Sequence, residues 1–314
     1  MFAQIVQLLP QSLFFKLVQK YQTDKGSKGI STRDQLIAMM FCQLGWAESL
    51  REIADGLYSS LGKLNHLGAN AIGRSSLSYV NQHRDYHVYE DFYYGLLEYF
   101  RSELTGARAK PICTDKKIFS LDSTTIGLCL KLFDWARFRT TKGGIKLHTL
   151  LDNDTLMPEF IAVSEAAVSD IKAARTLVDI PQNCILAIDR GYYDFRWYRQ
   201  LSKRHITFVT RIKENIKLKR VKKILIDKDE NWGCYEITLQ SDETAYEKGR
   251  LKVIPKYRLV QWKDKESGRW FEYLTNDFKL SAEEIAAVYK DRWQIELFFK
   301  KLKQNLKIKT FVGT

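Results

Sequence analysis

Apolar positions recur at helical spacing through most of the first hundred residues. Four helices are predicted there. One covers 33–40 behind Ser31 or Thr32 as cap, one covers 49–57 and ends near Gly56, one runs from Ser75 to Arg84, and one from Val88 to Leu104. Short helices followed by one bearing Ser, Asn and Arg suit a helix-turn-helix. However, about fifteen residues separate Leu57 from Gly73, far more than that motif's short turn. The region reads equally as a DNA-contacting unit and as a helical scaffold or dimerisation unit.

Past Pro111 the period drops to two. Over 118–122, Phe119 and Leu121 take one face and Ser120 and Asp122 the other. Strands at 145–150 and 160–163 and a helix at 168–178 follow. Residues 184–188 form an unbroken apolar run, as in a strand covered on both faces, and Asp189 ends it. A helix over 195–204 and a strand over 206–210 complete a mixed α/β pattern. From 214 to 274 the chain reads as β, with strands at 224–226, 235–239, 251–254 and 258–262. Ser281 and Glu284 then form a capping box that opens one long helix. The organisation predicted is a helical domain over 1–110, an α/β domain over 111–213 and 275–314, and a β insertion over 214–274.

Composition narrows the class. The chain has 314 residues, 45% hydrophobic and 28% charged, with only five prolines, which excludes a disordered or low-complexity protein. No apolar run approaches the roughly 18–20 residues of a membrane span. The amphipathic N-terminus, broken by Gln and Pro, does not read as a signal peptide. Five widely spaced cysteines (Cys42, Cys113, Cys129, Cys184, Cys234) suit buried thiols in a reducing cytosol, and no Cys or His pair has zinc spacing. A cytoplasmic protein without a membrane partner is expected. The net charge of +13 is concentrated, because residues 196–228 hold twelve Lys and Arg against two acids. Such a patch suits a phosphate backbone; a solvated charge run is the plainer alternative.

The last helix holds the first chemical signal. At about 100° per residue, and with Glu296 at zero, Tyr289 lies at about +20°, Arg292 at about −40° and Lys303 at about −20°. Val288, Ile295, Phe299, Leu302 and Leu306 lie beside this stripe, so Glu296 runs along the edge of a buried face. Asp189, at the carboxyl end of an apolar strand, stands where open α/β sheets bind ligands, or else caps the turn that follows. Asp194 fits the capping role better. Asp122 sits inside a covered strand, where a lone carboxylate is costly unless paired or metal-bound. Three carboxylates from two strands and a helix can hold two Mg²⁺ ions about 4 Å apart for displacement at phosphorus.

These motifs resemble the DDE transposases of bacterial insertion sequences, in the subgroup with a Tyr-x2-Arg-x3-Glu-x6-Lys signature. Tyr289, Arg292, Glu296 and Lys303 match the signature, Asp189, Gly191 and Tyr193 match an Asp-x-Gly-x-Tyr motif, and Asp122 in SLDSTT matches the first acid. The resemblance covers about 115–314. It implies an RNase H-like mixed sheet flanked by helices, with an inserted β-rich subdomain and a helical N-terminal domain. It further implies Asp122, Asp189 and Glu296 as the catalytic, metal-binding triad for two Mg²⁺ ions, with Mn²⁺ able to substitute. Tyr289, Arg292, Lys303, Arg190, Arg211 and Lys213 would contact DNA, with Tyr289 on a terminal phosphate and the basic stretch along the DNA path.

The activity implied is cut-and-paste transposition through a hairpin at the transposon end. A flipped base would stack on an aromatic residue such as Trp232, Trp262 or Trp270, although a core role is the plainer reading of each. Partners would be double-stranded DNA, as terminal inverted repeats and target, and a second copy in a synaptic homodimer. The signature implies further helix beyond its Lys, while this sequence ends eleven residues after Lys303, so a shortened member is expected. The alternative function is therefore a non-catalytic relative that occupies transposon ends or regulates transposition. A nuclease on the same fold is a third reading.

Overall fold

The computed structural model describes residues 2–27, 29–104, 109–128, 137–139, 142–212, 221–239, 246–247, 250–251 and 256–306. It divides into two compact units, one of residues 1–105, 126–144 and 300–314 and one of residues 106–125 and 145–299.

The first unit is helical up to residue 104: α1 (Phe2–Gln7), α2 (Gln11–Tyr21), α3 (Thr32–Leu44), α4 (Leu50–Ser59), α5 (Leu61–Leu64), α6 (Arg74–His83) and α7 (His87–Leu104). Ser31, rather than Thr32, caps α3 through a capping box with Asp34. The other carboxylate oxygen of Asp34 accepts from the Asn70 N–H at 2.7 Å, so one buried acid serves two chain segments. Gly56 does not end its helix. It lies inside α4, where an added Cβ would stand 2.6 Å from the Phe41 ring, so glycine lets α3 and α4 approach closely. Ile37, Ile53, Leu57 and Leu77 form one core, and Phe14 and Val18 of α2 pack on Val88 and Phe92 of α7 in another.

The chain past residue 105 carries the sheet, which lies in the second unit except for residues 126–144. Its strands are β1 (Ile118–Leu128), β2 (Arg137–Arg139), β3 (Lys142–Asp152), β4 (Met157–Glu165), β5 (Ile185–Ile188), β6 (Thr207–Arg211), β7 (Val221–Lys228) and β8 (Trp232–Leu239), then β9 (Tyr246–Glu247), β10 (Arg250–Leu251), β11 (Lys256–Lys263) and β12 (Trp270–Thr275). The order is β3-β1-β5-β6-β12-β11-β8-β7, with β2 and β4 both pairing β3, while β9 and β10 form a separate small ribbon. β1, β5 and β6 run parallel, and β12, β11, β8 and β7 continue antiparallel from β6. The strands of the predicted β insertion thus extend the central sheet. Of the strand expected at 251–254, Leu251 lies in β10 and residues 252–255 fall outside the described residues.

Strand alternation decides which face carries chemistry. Phe119, Leu121, Leu186 and Ile188 point to one face, under α8 (Asp170–Thr176) and α9 (Phe195–Lys203), where Ala174, Trp197, Tyr198 and Leu201 cover them. Ile118, Ile185 and Ala187 point to the other, under Ile285, Ala286 and Val288 of α10 (Ala282–Asp291). By the same parity Asp122 and Asp189 belong to the α10 face. The capping box of Ser281 and Glu284 forms as predicted. The long helix does not: it breaks at Arg292, and α11 (Trp293–Asn305) starts beyond. The Arg292 N–H bonds to Tyr289 O and Ile295 N–H to Arg292 O, each three residues back, so the chain tightens for one turn. α11 then buries Ile295 and Phe299 against Leu151 of β3. Among the described residues no helix is long and apolar enough to cross a membrane.

Candidate active site

Leu121 stands opposite Ile188 in the parallel register of β1 and β5. One residue further along each strand stand Asp122 and Asp189, side by side on the α10 face. Burial pushes the Asp122 carboxyl up to about 6, with Asp189 and Glu296 adding to the rise, while the Ser123 N–H and Arg292 oppose it. A carboxylate raised this far by burial and by other acids is a group that gains from a cation.

The cation present is Arg292. Its Nη1 lies 3.4 Å from Asp122 Oδ2 and its Nη2 2.5 Å from Glu296 Oε1, with the Arg292 side chain only 11% exposed. Asp122 and Glu296 lie 174 positions apart in the sequence, and one guanidinium spans them. The tight turn at Arg292 leaves the arginine and Glu296 one helical turn apart despite the break, so the predicted stripe survives where it matters. Tyr289 also lies beside it, with the Arg292 guanidinium carbon 5.7 Å from its ring centre. Burial raises the Tyr289 pKa, and Asp189 contributes to the rise against Arg292.

The two neighbouring aspartates separate cleanly. Asp194 caps α9, accepting from the Trp197 N–H at 2.9 Å, and pairs with Arg175 at 2.6 Å. Asp189 makes no capping bond to the turn that follows it. Its carboxylate is thus not spent on capping that turn.

Behind the sheet lies a polar group that motif reading missed. Ser123, on the face opposite Asp122, donates to Asp170 at 2.6 Å, and Lys146 donates to the same carboxylate oxygen at 3.1 Å. Tyr192 is buried at 2% exposure, and its phenol is held well above the usual tyrosine range by burial and by Asp122, Asp170 and Asp189. Tyr193, the residue that matches the motif, packs edge-on against Phe195 and Tyr198 in the core. Tyr192 could have been suspected only from the three-residue turn after Asp189, which folds back beneath the acids.

Beside the acids opens a cleft of about 670 Å³ whose lining includes Arg211, Trp262, Phe271, Tyr273, Tyr289, Arg292 and Trp293. Arg211 lies 4.5 Å from the Phe271 ring centre. Of the three tryptophans singled out by sequence, Trp262 lines this cleft. Trp232 is its cross-strand partner, and Trp270 is half exposed at the start of β12. Trp293, 55% exposed at the cleft, was not anticipated.

Arg190 is exposed at the turn after Asp189, and Lys303 is half-buried near the end of α11. Lys213 lies outside the described residues, as does Cys129. Within the described part of the basic stretch, two of the cations have partners in the fold. Arg204 ties the end of α9 to Ile180 O and Asp179, and Lys223 lies over the Tyr235 ring.

Among the described residues, no three His, Cys, Asp or Glu side chains are drawn into a ready metal cluster. The donor chemistry nevertheless fits a hard divalent cation. It offers oxygen donors only, and Asp122, raised chiefly by burial and further by Asp189 and Glu296, is a carboxylate whose charged form a cation would favour.

Comparison with known proteins points the same way. Residues 114–311 match the transposase DDE domain family, and residues 1–70 match a domain of unknown function (DUF4372). The chain is 37% identical over 196 residues to a protein from Sinorhizobium fredii named as a transposase, a match covering 62% of this chain and 53% of that one. It is 28% identical over 200 residues to a Geobacillus stearothermophilus protein named as a transposase for insertion sequence element IS5377, covering 63% and 51%. A Synechocystis protein named as a transposase for insertion sequence element IS4SA is 27% identical over 263 residues, covering 81% and 69%. The chain spans about half the length of the first two relatives.

Proposed function

This chain belongs to the transposase DDE domain family, and we propose that it moves an insertion sequence by metal-dependent cut-and-paste transposition, with Asp122, Asp189 and Glu296 as the catalytic acids. The observation that carries this reading is the gathering of all three on one face of the sheet, two of them spanned by Arg292. The family is generally divalent-metal dependent. The three carboxylates would hold two Mg²⁺ ions, with Mn²⁺ able to substitute, and a bound metal supplies Lewis acidity to the attacking and leaving oxygens.

The protein's own side chains do the rest. Arg292 holds Asp122 and Glu296 in place and offers positive charge beside the scissile phosphate. Arg211 and Tyr289 line the cleft next to it, where a base displaced from the duplex can stack on Trp262 or Trp293. Arg190, Lys213 and Lys303 contact the backbone of the transposon end, as the signature of the Tyr-Arg-Glu-Lys subgroup suggests. The helical region over 1–110 binds DNA, the parts over 111–213 and 275–314 form the catalytic domain, and 214–274 is the insertion. Two copies join the two ends in a synaptic dimer, and the protein works in the bacterial cytoplasm on the nucleoid.

The test is cleavage of DNA carrying the gene's own flanking ends, by wild type and by Glu296→Gln, in Mg²⁺ and in EDTA. Cutting at the element boundary, lost in both the variant and EDTA, supports the proposal. Tight end binding without cutting replaces it with the end-occupying, regulatory role. Cutting without end specificity or strand joining replaces it with a nuclease.

A further inference from the structure

Arg292 reaches two acids from the gap between α10 and α11, so the shape of that gap sets where the guanidinium lies. On its near side stands Asp291, the last residue of α10, 6% exposed. Asn153, 0% exposed in the turn between β3 and β4, donates through Nδ2 to two acceptors of Asp291, the backbone O at 3.3 Å and Oδ2 at 2.8 Å. The Asn153 N–H donates in turn to Ile118 O at 2.9 Å, at the first residue of the strand that carries Asp122.

The turn itself is braced. Asp152 accepts from the Asp154 N–H at 2.9 Å and from Lys117 at 3.2 Å. One buried residue therefore links the base of β1 to the end of α10. An amide suits this post, since it donates to a carbonyl and a carboxylate at once and brings no charge of its own. Removing it takes a donor from two buried acceptors.

We propose that Asn153 is a positioning residue for the phosphoryl-transfer centre: it clamps the helix break to the base of β1 and so sets the Arg292 guanidinium across Asp122 and Glu296. The proposal rests on the reading of those two acids as catalytic. Misplacement of a catalytic group by about 1 Å can cost about a hundredfold in rate. Loosening the clamp should therefore act on turnover and on metal binding while DNA affinity stays.

The test uses the full chain, with Asn153→Ala, Asp291→Ala and the exchanged pair Asn153→Asp with Asp291→Asn. Three quantities are read at a temperature where each variant is folded: kcat and KM on end DNA, and Mn²⁺ affinity by electron paramagnetic resonance with the metal alone. Asn153→Ala should lower kcat about tenfold to a hundredfold, leave KM for DNA within about twofold, and weaken Mn²⁺ binding by a similar factor to kcat. Asp291→Ala, which keeps the backbone bond, should move the same way by less, and it decides the matter if Asn153→Ala does not fold. The exchanged pair restores the bond between the two side chains but not the one to Asp291 O, so it should recover part of both losses. Unchanged kcat and Mn²⁺ affinity in folded single variants overturns the proposal, as does a loss confined to melting temperature. A wild type that does not cut defeats the catalytic reading alone, and Mn²⁺ affinity then decides the clamp. A wild type that binds no Mn²⁺ overturns both.

Discussion

Arg292 Nη1 lies 3.4 Å from Asp122 Oδ2 across 170 positions of sequence, and its other terminal nitrogen bonds Glu296. Removing the arginine leaves two partly buried carboxylates without that cation. Losing one partner of a fully buried pair costs about 3–5 kcal/mol. With Asp122 24% and Glu296 35% exposed, solvent reduces this, and Arg292→Ala should destabilise the protein by about 2 kcal/mol in EDTA. Adding Mn²⁺ should widen the gap between variant and wild type, because acids that Arg292 no longer holds in place bind the metal less well. Denaturant titrations with and without metal check both parts, and a gap that ignores metal contradicts the site.

The Asp122 carboxyl titrates at about 6 in the folded protein, above an ordinary aspartate. Between about pH 4 and 6 the folded chain keeps a proton that the unfolded chain has released. The stability from this group is therefore fully present below about pH 4 and is lost as pH rises through 6, by about 3 kcal/mol. Asp122→Asn removes that dependence. In EDTA the variant should gain about 3 kcal/mol on wild type between pH 4 and pH 7; a difference that stays constant with pH would show that Asp122 is not perturbed.

Asp189 and Asp194 should answer mutation in opposite ways. Asp194→Ala loses the α9 cap and the Arg175 pair, costing about 1–2 kcal/mol, and leaves cutting in place once the protein is folded. Asp189→Asn removes no cap and should keep its melting temperature while end cutting disappears. Paired melting curves and cleavage assays distinguish them. Equal stability losses would return Asp189 to a structural role.

Trp293 and Trp262 line the same cleft, but Trp293 is more than half exposed. Trp293→Ala should barely change stability. Base–aromatic stacking contributes about 1–3 kcal/mol, so the variant should lose roughly fivefold or more in the proposed step that displaces the base. Fluorescence of 2-aminopurine placed at the transposon end reads that step directly. An unchanged signal would remove Trp293 from the proposed stacking role.

Much of this protein is written in local pattern. The alternation at 118–122, the apolar run before Asp189 and the Ser281–Glu284 box each specify an element through short-range physics: pleat parity, two-sided burial and the satisfaction of helix-end N–H groups. The acids were legible for the same reason, as polar residues placed where an apolar pattern does not want them.

What only the tertiary structure decided is what those residues meet. The helix break at Arg292 has no Pro or Gly to announce it; it occurs where Asn153, far off in sequence, takes hold of Asp291. Asp170 is drawn to Ser123, and Tyr192 to the underside of the acids, by packing of α8 and the turn after β5. Gly56 is explained by Phe41 of the neighbouring helix rather than by its own. Sequence determined most of the elements and singled out three acids as candidates because local periodicity and burial are encoded residue by residue. The cation that joins two of them, and the clamp that aims it, depend on contacts between distant segments that exist only once the sheet has formed.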